Sequence, residues 1–126
     1  MTLAEFLRDG ASRPFRWGAC DCCTWVCSWV LARRGVDPSA PWRGRYRTAR
    51  GALRNIRRGG DFVAVVSGAM ADAGLIETSD PQPGDIGVVE AEGGATLAIC
   101  TGGKWAGKSE RGVVVAPFPM IKAWRV

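Results

Sequence analysis

Residues 21–35, DCCTWVCSWVLARRG, are the stretch that decides the fold. Asp21 is a residue type that caps helix N-termini, and Gly35 is a residue type that ends helices. The segment between them is apolar on nearly every face, which is typical of a buried helix. The sequence therefore predicts a central helix over residues 22–34, with the thiol of Cys22 in its first turn.

The rest of the chain places helices first and strands second. Apolar spacing and capping residues predict further helices over residues 3–9, 48–58 and 61–73. Beyond Gly74, short β-rich runs separated by glycine turns predict strands over residues 85–90, 95–101, 112–116 and 120–126. This order predicts an α+β fold in one domain spanning residues 1–126, with N-terminal helices followed by a small antiparallel sheet.

The composition excludes several classes of active site. The 126 residues include five cysteines and no histidine. Without histidine the chain cannot form the usual Ser-His or Cys-His nucleophile pair, a histidine metal site or a histidine pH switch. The N-terminal sequence lacks a basic start followed by an apolar run, so we expect no signal peptide, and no stretch is long enough for a transmembrane helix.

The net charge of +5 is unevenly distributed along the chain. Residues 1–60 carry twelve arginines and four acidic residues, whereas residues 61–126 carry a net charge of −3. One face of the predicted third helix is basic and consists of Arg47, Arg50, Arg54, Arg57 and Arg58. This stripe suits a docking surface for an acidic protein partner or a solvated helix face, and both fit it better than nucleic acid.

The position of Cys22 allows two interpretations. The amides and dipole at a helix N-terminus stabilise a thiolate, so Cys22 could be a prepared nucleophile. Cysteine is also a small apolar residue that is often buried for packing alone.

Three motifs in order favour the first interpretation. The run Asp21-Cys22-Cys23-Thr24-Trp25-Val26 resembles the Asp-Cys-Ser-Gly-Phe-Val block of NlpC-type cell-wall cysteine peptidases. Pro83-Gly84-Asp85-Ile86 resembles their Pro-Gly-Asp-Leu strand start. Leu97-Ala98-Ile99-Cys100 resembles the following strand, which in the family begins with the catalytic histidine. The resemblance implies a papain-like, NlpC-like fold over roughly residues 15–125.

The same resemblance places Cys22 at the nucleophile position and Thr96 at the histidine position. Threonine does not accept a proton near neutral pH, and the chain has no histidine to replace it. A third polar position, expected near residues 105–108, has no convincing match. The resemblance therefore implies an inherited peptidase fold with a vestigial nucleophile and without hydrolytic turnover.

Further motifs make the chain similar to a family of small proteins encoded in the tail modules of long-tailed phages and prophages, near the tail-tip and hub genes. They are Phe15-Arg16-Trp17-Gly18, Asp21-Cys22-Cys23, Gly35-Val36-Asp37-Pro38, Arg43-Gly44-Arg45-Tyr46, Pro83-Gly84-Asp85-Ile86 and Ala123-Trp124-Arg125-Val126. This resemblance implies synthesis in the host cytoplasm and incorporation into the virion tail, with other tail-tip or hub proteins as partners.

Four thiols could in principle hold zinc or an iron–sulfur cluster. They belong to Cys20, Cys23, Cys27 and Cys100. Cys20 precedes the helix cap, the glycine knuckles of ribbon-type sites are missing, and Cys22 would compete as a ligand. No bound metal or cofactor is therefore favoured.

Six tryptophans are many for a chain of this length. Trp25 and Trp29 lie four residues apart on the central helix and are expected in the core. Trp42, beside the arginine segment, and Trp105, beside a glycine turn, are candidate anchors of the partner-docking surface, although core packing is an alternative for each.

The sequence leads to one preferred function and two alternatives. The preferred function is a structural or assembly component of a phage tail tip or hub, built on a degenerate cysteine-peptidase fold. The first alternative is an active Cys22-dependent hydrolase that acts on peptidoglycan and helps cell-wall penetration. The second is a structural module stapled by a metal–thiolate group.

Overall fold

Four helices precede six strands in the structure, a computed structural model that describes residues 1–126. The helices are α1 (Leu3–Ser12), α2 (Thr24–Arg34), α3 (Ala49–Arg58) and α4 (Phe62–Asp72). The strands are β1 (Glu77–Thr78), β2 (Ile86–Ala91), β3 (Gly94–Cys100), β4 (Trp105–Ser109), β5 (Gly112–Ala116) and β6 (Met120–Trp124). The predicted α+β class and its order of helices and strands are confirmed.

Helix α1 begins where the sequence predicts and ends later. Thr2 and Glu5 form a reciprocal capping box at its N-terminus. Gly10 was expected to end the helix, but α1 continues through it to Ser12. A Cβ atom at Gly10 would lie 2.4 Å from Nε1 of Trp25, so glycine is needed there because α1 and α2 approach closely. The glycine marks a packing contact instead of a helix end.

Helix α2 is the buried central helix. Its regular turns start at Thr24, two residues later than predicted, and it ends at Gly35, which adopts a left-handed conformation with φ of 73°. Trp25 and Trp29 are buried in the core, as predicted; the ring of Phe6 of α1 stacks on Trp25 and packs at a tilted angle against Trp29. The helix therefore packs between α1 and the sheet.

The six strands form one antiparallel sheet in the order β1-β6-β2-β3-β4-β5. Alternating residues divide its buried side chains between two faces. One face, which includes Val88 and Leu97, joins the helices in the main core. The other face carries a smaller cluster of Val89, Ala98, Cys100, Trp105 and Ala123. Strands β1 and β4 were not predicted.

A turn before β2 ties together the ends of several elements. Asp85 accepts hydrogen bonds from the backbone N–H groups of Gln82 and Val126, at 2.8 and 2.9 Å. The carbonyl of Gly84 accepts a 2.7 Å hydrogen bond from the indole of Trp29. The Pro83-Gly84-Asp85 motif thus attaches the last residue of the chain and α2 to the start of β2.

Helices α3 and α4 form a looser layer beside α2. Both helices begin one residue later than predicted, because Thr48 and Asp61 cap their N-termini through side-chain oxygens. Helix α4 buries Val66 and Met70, whereas no residue of α3 is fully buried. None of the helices has both the length and the apolar composition needed to cross a membrane.

Candidate functional site: a thiol at the floor of an apolar pocket

The carboxylate of Asp21 organises the backbone before α2. It is only 1% exposed and accepts five hydrogen bonds. The backbone N–H groups of Cys23 and Thr24 donate to Oδ1, each at 2.9 Å, which satisfies free amides at the start of α2. The N–H of Gly18 donates to Oδ2 at 2.8 Å. Asp21 therefore caps α2, as predicted, and also closes the turn of residues 18–21.

The phenol of Tyr46 supplies the shortest of these bonds, donating to Oδ2 of Asp21 at 2.6 Å. Burial raises the pKa of Tyr46, and its hydrogen bond to the Asp21 carboxylate raises it further. The two backbones also touch: a Cβ atom at Gly18, where φ is 83°, would lie 2.1 Å from the carbonyl oxygen of Tyr46. We call the contacts of Gly18, Asp21, Thr24 and Tyr46 the Asp21 hub.

Arg43 fixes the loop of residues 36–46 against the same end of α2. Its guanidinium pairs with Asp37 at 2.7 Å and donates to the carbonyl of Thr24 at 2.9 Å. Burial opposes ionisation of Asp37, but hydrogen bonds from Arg43 and Ser39 outweigh that effect and lower its pKa. Arg43 is thus a structural residue, and the loop it holds places Trp42 beside the thiols.

Cys22 and Cys23 lie side by side just before the regular part of α2. Their Sγ atoms are 4.0 Å apart, and both residues are half-buried. Hydrogen bonding from the Cys23 thiol, together with a hydrogen bond from Thr96, lowers the pKa of Cys22. The same contact with Cys22, reinforced by burial, raises the pKa of Cys23 well above its usual value. Cys22 is therefore the member of the pair that ionises first.

The structure brings Thr96 to Cys22. Thr96 lies on β3 opposite Val89 of β2, and its hydroxyl is near enough to the Cys22 thiol to help lower the pKa of Cys22. The two residues that the motif order aligns with a nucleophile and its histidine are thus neighbours. Their catalytic roles stay predictions, since a threonine hydroxyl can donate a hydrogen bond to a thiolate but does not take up its proton near neutral pH.

A pocket of about 420 Å³ opens above Cys22. Most of its walls come from α3 and α4, including Ala52, Ile56, Phe62 and Val65. Trp17 and Trp42 lie at its other side, and Ala95 of β3 completes it. Thirteen of its fifteen lining residues are hydrophobic, so the thiol is the main reactive group in an apolar cavity.

No group beside Cys22 can take up a proton and return it. The Asp21 carboxylate lines the pocket, but both of its oxygens already accept hydrogen bonds from hub residues, so it is not available to take a proton from Cys22. The Tyr46 hydroxyl keeps its proton and donates its hydrogen bond to Asp21. Lys108, in the segment where a third polar position was expected, is buried and donates to the carbonyl of Gly10 at 2.7 Å, so it secures the end of α1. The site can hold a nucleophilic thiolate and lacks a group that both takes up and returns a proton near neutral pH.

The four thiols considered as a metal set are not gathered in one place. Cys27 lies in the main core, where burial raises its pKa to about 12, and Cys100 lies in the cluster on the other sheet face. Ligand atoms that could share a metal ion belong instead to Asp21, Cys22 and Cys23, all within 4.8 Å of one another. The oxygens of Asp21 already accept five hydrogen bonds, so only the two thiols remain available as metal ligands.

The five arginines of the predicted docking face are all exposed, and none forms an ion pair within the chain. The placement of Arg47 on the helix face is wrong, because α3 begins after the N-cap Thr48 and Arg47 precedes that cap. Arg50, Arg54, Arg57 and Arg58 line a surface recess together with Leu53. Leu53, 46% exposed, also lines the apolar pocket, so the recess and the pocket adjoin along α3.

The two tryptophans proposed for this surface behave differently. Trp42 is half-buried and lines the apolar pocket. The placement of Trp105 on a docking surface is wrong, because it is only 6% exposed and its ring lies across Gly87 of β2, where a Cβ would approach it to 2.9 Å. The absence of a side chain at Gly87 makes room for this ring in the core.

Sequence reasoning missed Tyr46 and Arg43 as organisers of the site. Both belong to the Arg43-Gly44-Arg45-Tyr46 motif. A lone tyrosine followed by the arginine helix gave no sign that its hydroxyl reaches Asp21, 25 positions earlier. One signal was available. This motif and Phe15-Arg16-Trp17-Gly18 occur together in the family that the chain resembles, and their residues Gly18 and Tyr46 are in contact at the hub.

A family model described as "Domain of unknown function (DUF6950)" matches residues 1–126. The chain belongs to the DUF6950 family. No curated protein and no solved structure matches it. In this DUF6950 chain the match covers the Asp21 hub, the Cys22 pocket and the arginines of α3 alike.

Proposed function

We propose that the chain is a structural or assembly component of a phage tail tip or hub, built on a papain-like, NlpC-like fold that no longer hydrolyses its substrate. The observation that carries this proposal is the partner of the thiol. Cys22 contacts Thr96 and Cys23, and neither can act as a general base at neutral pH. The motif resemblance supplies the tail role and the fold relationship.

The arginine face of α3 supports protein docking. Its guanidinium groups are exposed and unpaired within the chain, so they are available to carboxylates on a neighbouring protein. The helix buries none of its residues completely, which leaves its outer face free for an interface. An acidic surface on a tail protein is the partner that we infer.

Tail assembly with charge-reversed protein tests this function. We expect Arg50→Glu/Arg54→Glu to block incorporation into tails while the purified variant stays folded. The matched control is Arg8→Glu/Arg34→Glu, which makes the same charge change at exposed positions on α1 and α2. Normal incorporation of the α3 variant, or equal loss with the control, would contradict docking through α3.

A Cys22-dependent peptidoglycan hydrolase is the second candidate. The observation that favours it is the lowered pKa of Cys22 at the floor of a pocket. Incubation with peptidoglycan fragments, compared with Cys22→Ala, decides between the two. Release of peptides by the wild-type chain alone would establish the hydrolase and exclude the non-hydrolytic proposal.

A metal–thiolate module is the third candidate, favoured by the grouping of Asp21, Cys22 and Cys23. Because the Asp21 oxygens already accept hydrogen bonds, we expect elemental analysis of the purified protein to find no stoichiometric zinc or iron. One metal per chain, lost in Cys22→Ala and retained in Cys100→Ala, would instead establish the module.

A further inference from the structure

The Cys22 pocket combines three features that together select one class of ligand. The Cys22 thiol lines it, its other walls are mostly apolar, and through Leu53 it adjoins the recess formed by the α3 arginines. An acyl chain can pack against the apolar walls, its carbonyl carbon can be attacked by the thiol, and phosphate groups can bind the arginines. We propose that Cys22 accepts an acyl group from the thioester of a phosphate-bearing carrier. This inference goes beyond the tail role and does not depend on it.

The lack of a group that exchanges protons near neutral pH decides which acyl donor can react. An amine must be protonated to leave an acyl centre, and no group beside Cys22 exchanges a proton readily near neutral pH, since the neighbouring Cys23 thiol has a raised pKa and keeps its proton. A thiolate leaves unprotonated, because its basicity is close to that of the attacking sulfur. Amides are thus poor substrates for this site, whereas thioesters are suitable ones.

The step is an exchange of one thioester for another. The Cys22 thiol loses its proton to solvent, and Sγ attacks the carbonyl carbon of the donor. An S–C bond forms to Cys22, the donor C–S bond breaks, and its electron pair stays on the carrier sulfur. The released carrier thiolate takes up a proton from solvent, so the reaction is balanced without an oxidant or a metal.

The pocket walls suit a hydrocarbon chain. The volume of about 420 Å³ lies within the range of roughly 300–1,000 Å³ typical of small-molecule sites. Ala52 and Ile56 of α3 face Phe62 and Val65 of α4 across it. Each methylene buried between these helices is expected to strengthen binding about fourfold.

The arginine recess suits the carrier. Arg50, Arg54, Arg57 and Arg58 share it, and Arg47 lies one turn before them in the sequence. Guanidinium groups bind phosphate oxygens in bidentate geometry. Because Leu53 borders both cavities, a carrier held by these arginines can direct its thioester over Leu53 toward Cys22.

The acylated protein should accumulate. Hydrolysis of the new thioester requires an activated water, and the neighbours of Cys22 include no group that accepts a proton near neutral pH. The chain would therefore take up one acyl group and keep it, instead of turning over.

Intact-protein mass spectrometry after incubation with decanoyl-coenzyme A or acetyl-coenzyme A tests the proposal. We expect one decanoyl group per chain, removed by hydroxylamine, absent from Cys22→Ser and retained in Cys20→Ser. Acetyl transfer should be at least tenfold slower. No adduct, an adduct on a cysteine other than Cys22, or equal rates with the two donors would overturn the proposal.

Two variants on the poorly buried helix α3 separate the pocket from the recess. Leu53→Asp should abolish the preference for the longer chain, because it places a charge at the rim of the pocket. Arg50→Glu/Arg54→Glu should slow transfer from decanoyl-coenzyme A at least tenfold and leave transfer from a phosphate-free decanoyl thioester of N-acetylcysteamine unchanged. An equal effect of the arginine variant on both donors would contradict the carrier site.

Discussion

The Asp21 hub and helix α3 both line one pocket and are built in contrasting ways. In the hub, a buried carboxylate accepts five hydrogen bonds from three separate segments of the chain. In α3, no residue is fully buried and the arginines have no ion-pair partner in the chain. The hub therefore holds the thiol in position. Helix α3 supplies a pocket wall and a charged outer face, and substitutions on that face should change the stability of the fold only slightly.

Removing the hub carboxylate should have the largest effect on stability. Asp21→Ala leaves the N–H groups of Gly18, Cys23 and Thr24 and the Tyr46 phenol without their acceptor. We expect the free energy of unfolding in urea to fall by about 3–5 kcal/mol.

Asp61→Ala is the matched control, because Asp61 caps α4 through one hydrogen bond at an exposed position. Its loss should cost about 1 kcal/mol, as for an ordinary N-cap. Equal losses for Asp21→Ala and Asp61→Ala would show that Asp21 is a simple cap and that the hub adds nothing.

Removing only the phenol hydroxyl should have a smaller effect. Tyr46→Phe keeps the ring and deletes one hydrogen bond to a buried carboxylate, so we expect a loss of about 1.5–3 kcal/mol. The folded state raises the pKa of Tyr46, so this contribution should be complete below its ordinary pKa of about 10 and decline as the pH rises above it. Denaturation curves across that range measure it; a Tyr46→Phe difference that does not change above pH 10 would contradict the assignment.

The pH dependence of alkylation at Cys22 tests the site that lies between the Asp21 hub and helix α3. Its lowered pKa predicts that alkylation by iodoacetamide stays fast below the usual thiol pKa of about 8.5 and slows only as the pH falls through the lowered value. Thr96→Val removes one hydrogen bond to the thiolate and should move the rate profile to higher pH. Cys20, whose pKa is raised by burial, is the internal comparison. A profile for Cys22 that coincides with that of Cys20 would refute the assignment.

Charge reversal on α3 should have the smallest effect on stability. Arg54→Glu lies on an exposed face without an internal partner, so the free energy of unfolding should change by no more than about 0.5 kcal/mol. Thermal and urea denaturation measure it. A loss of several kcal/mol would mean that α3 is as integral to the fold as the hub.

The fold was predictable where local signals agree. Asp21 and Gly35 bound an apolar segment, and the structure has α2 there, while Thr48 and Asp61 mark the starts of α3 and α4. Strand β4 was not predicted, because its sequence WAGKS contains no β-branched residue. It forms a strand through its hydrogen bonds to β3 and β5. Local propensity cannot report such non-local pairing.

The site was predictable in part for the same reason. The proximity of Cys22 and Thr96 follows from the order of motifs, and the exposure of the arginines follows from helical periodicity. The pocket does not, because it depends on how α3 packs beside α4. The burial of Trp105 also escaped, since it depends on the missing side chain of Gly87 on another strand.

Lys108 connects the end of α1 to β4 across most of the length of the chain. Its amino group donates to the carbonyls of Gly10 and Arg13, 98 and 95 positions away in the sequence. Helix α1 emerges first during synthesis, yet its C-terminal carbonyls find this partner only when β4 has formed. Contacts of such sequence separation slow folding, because a long loop must close before they are made. The contact between α1 and β4 is therefore expected to form late in folding.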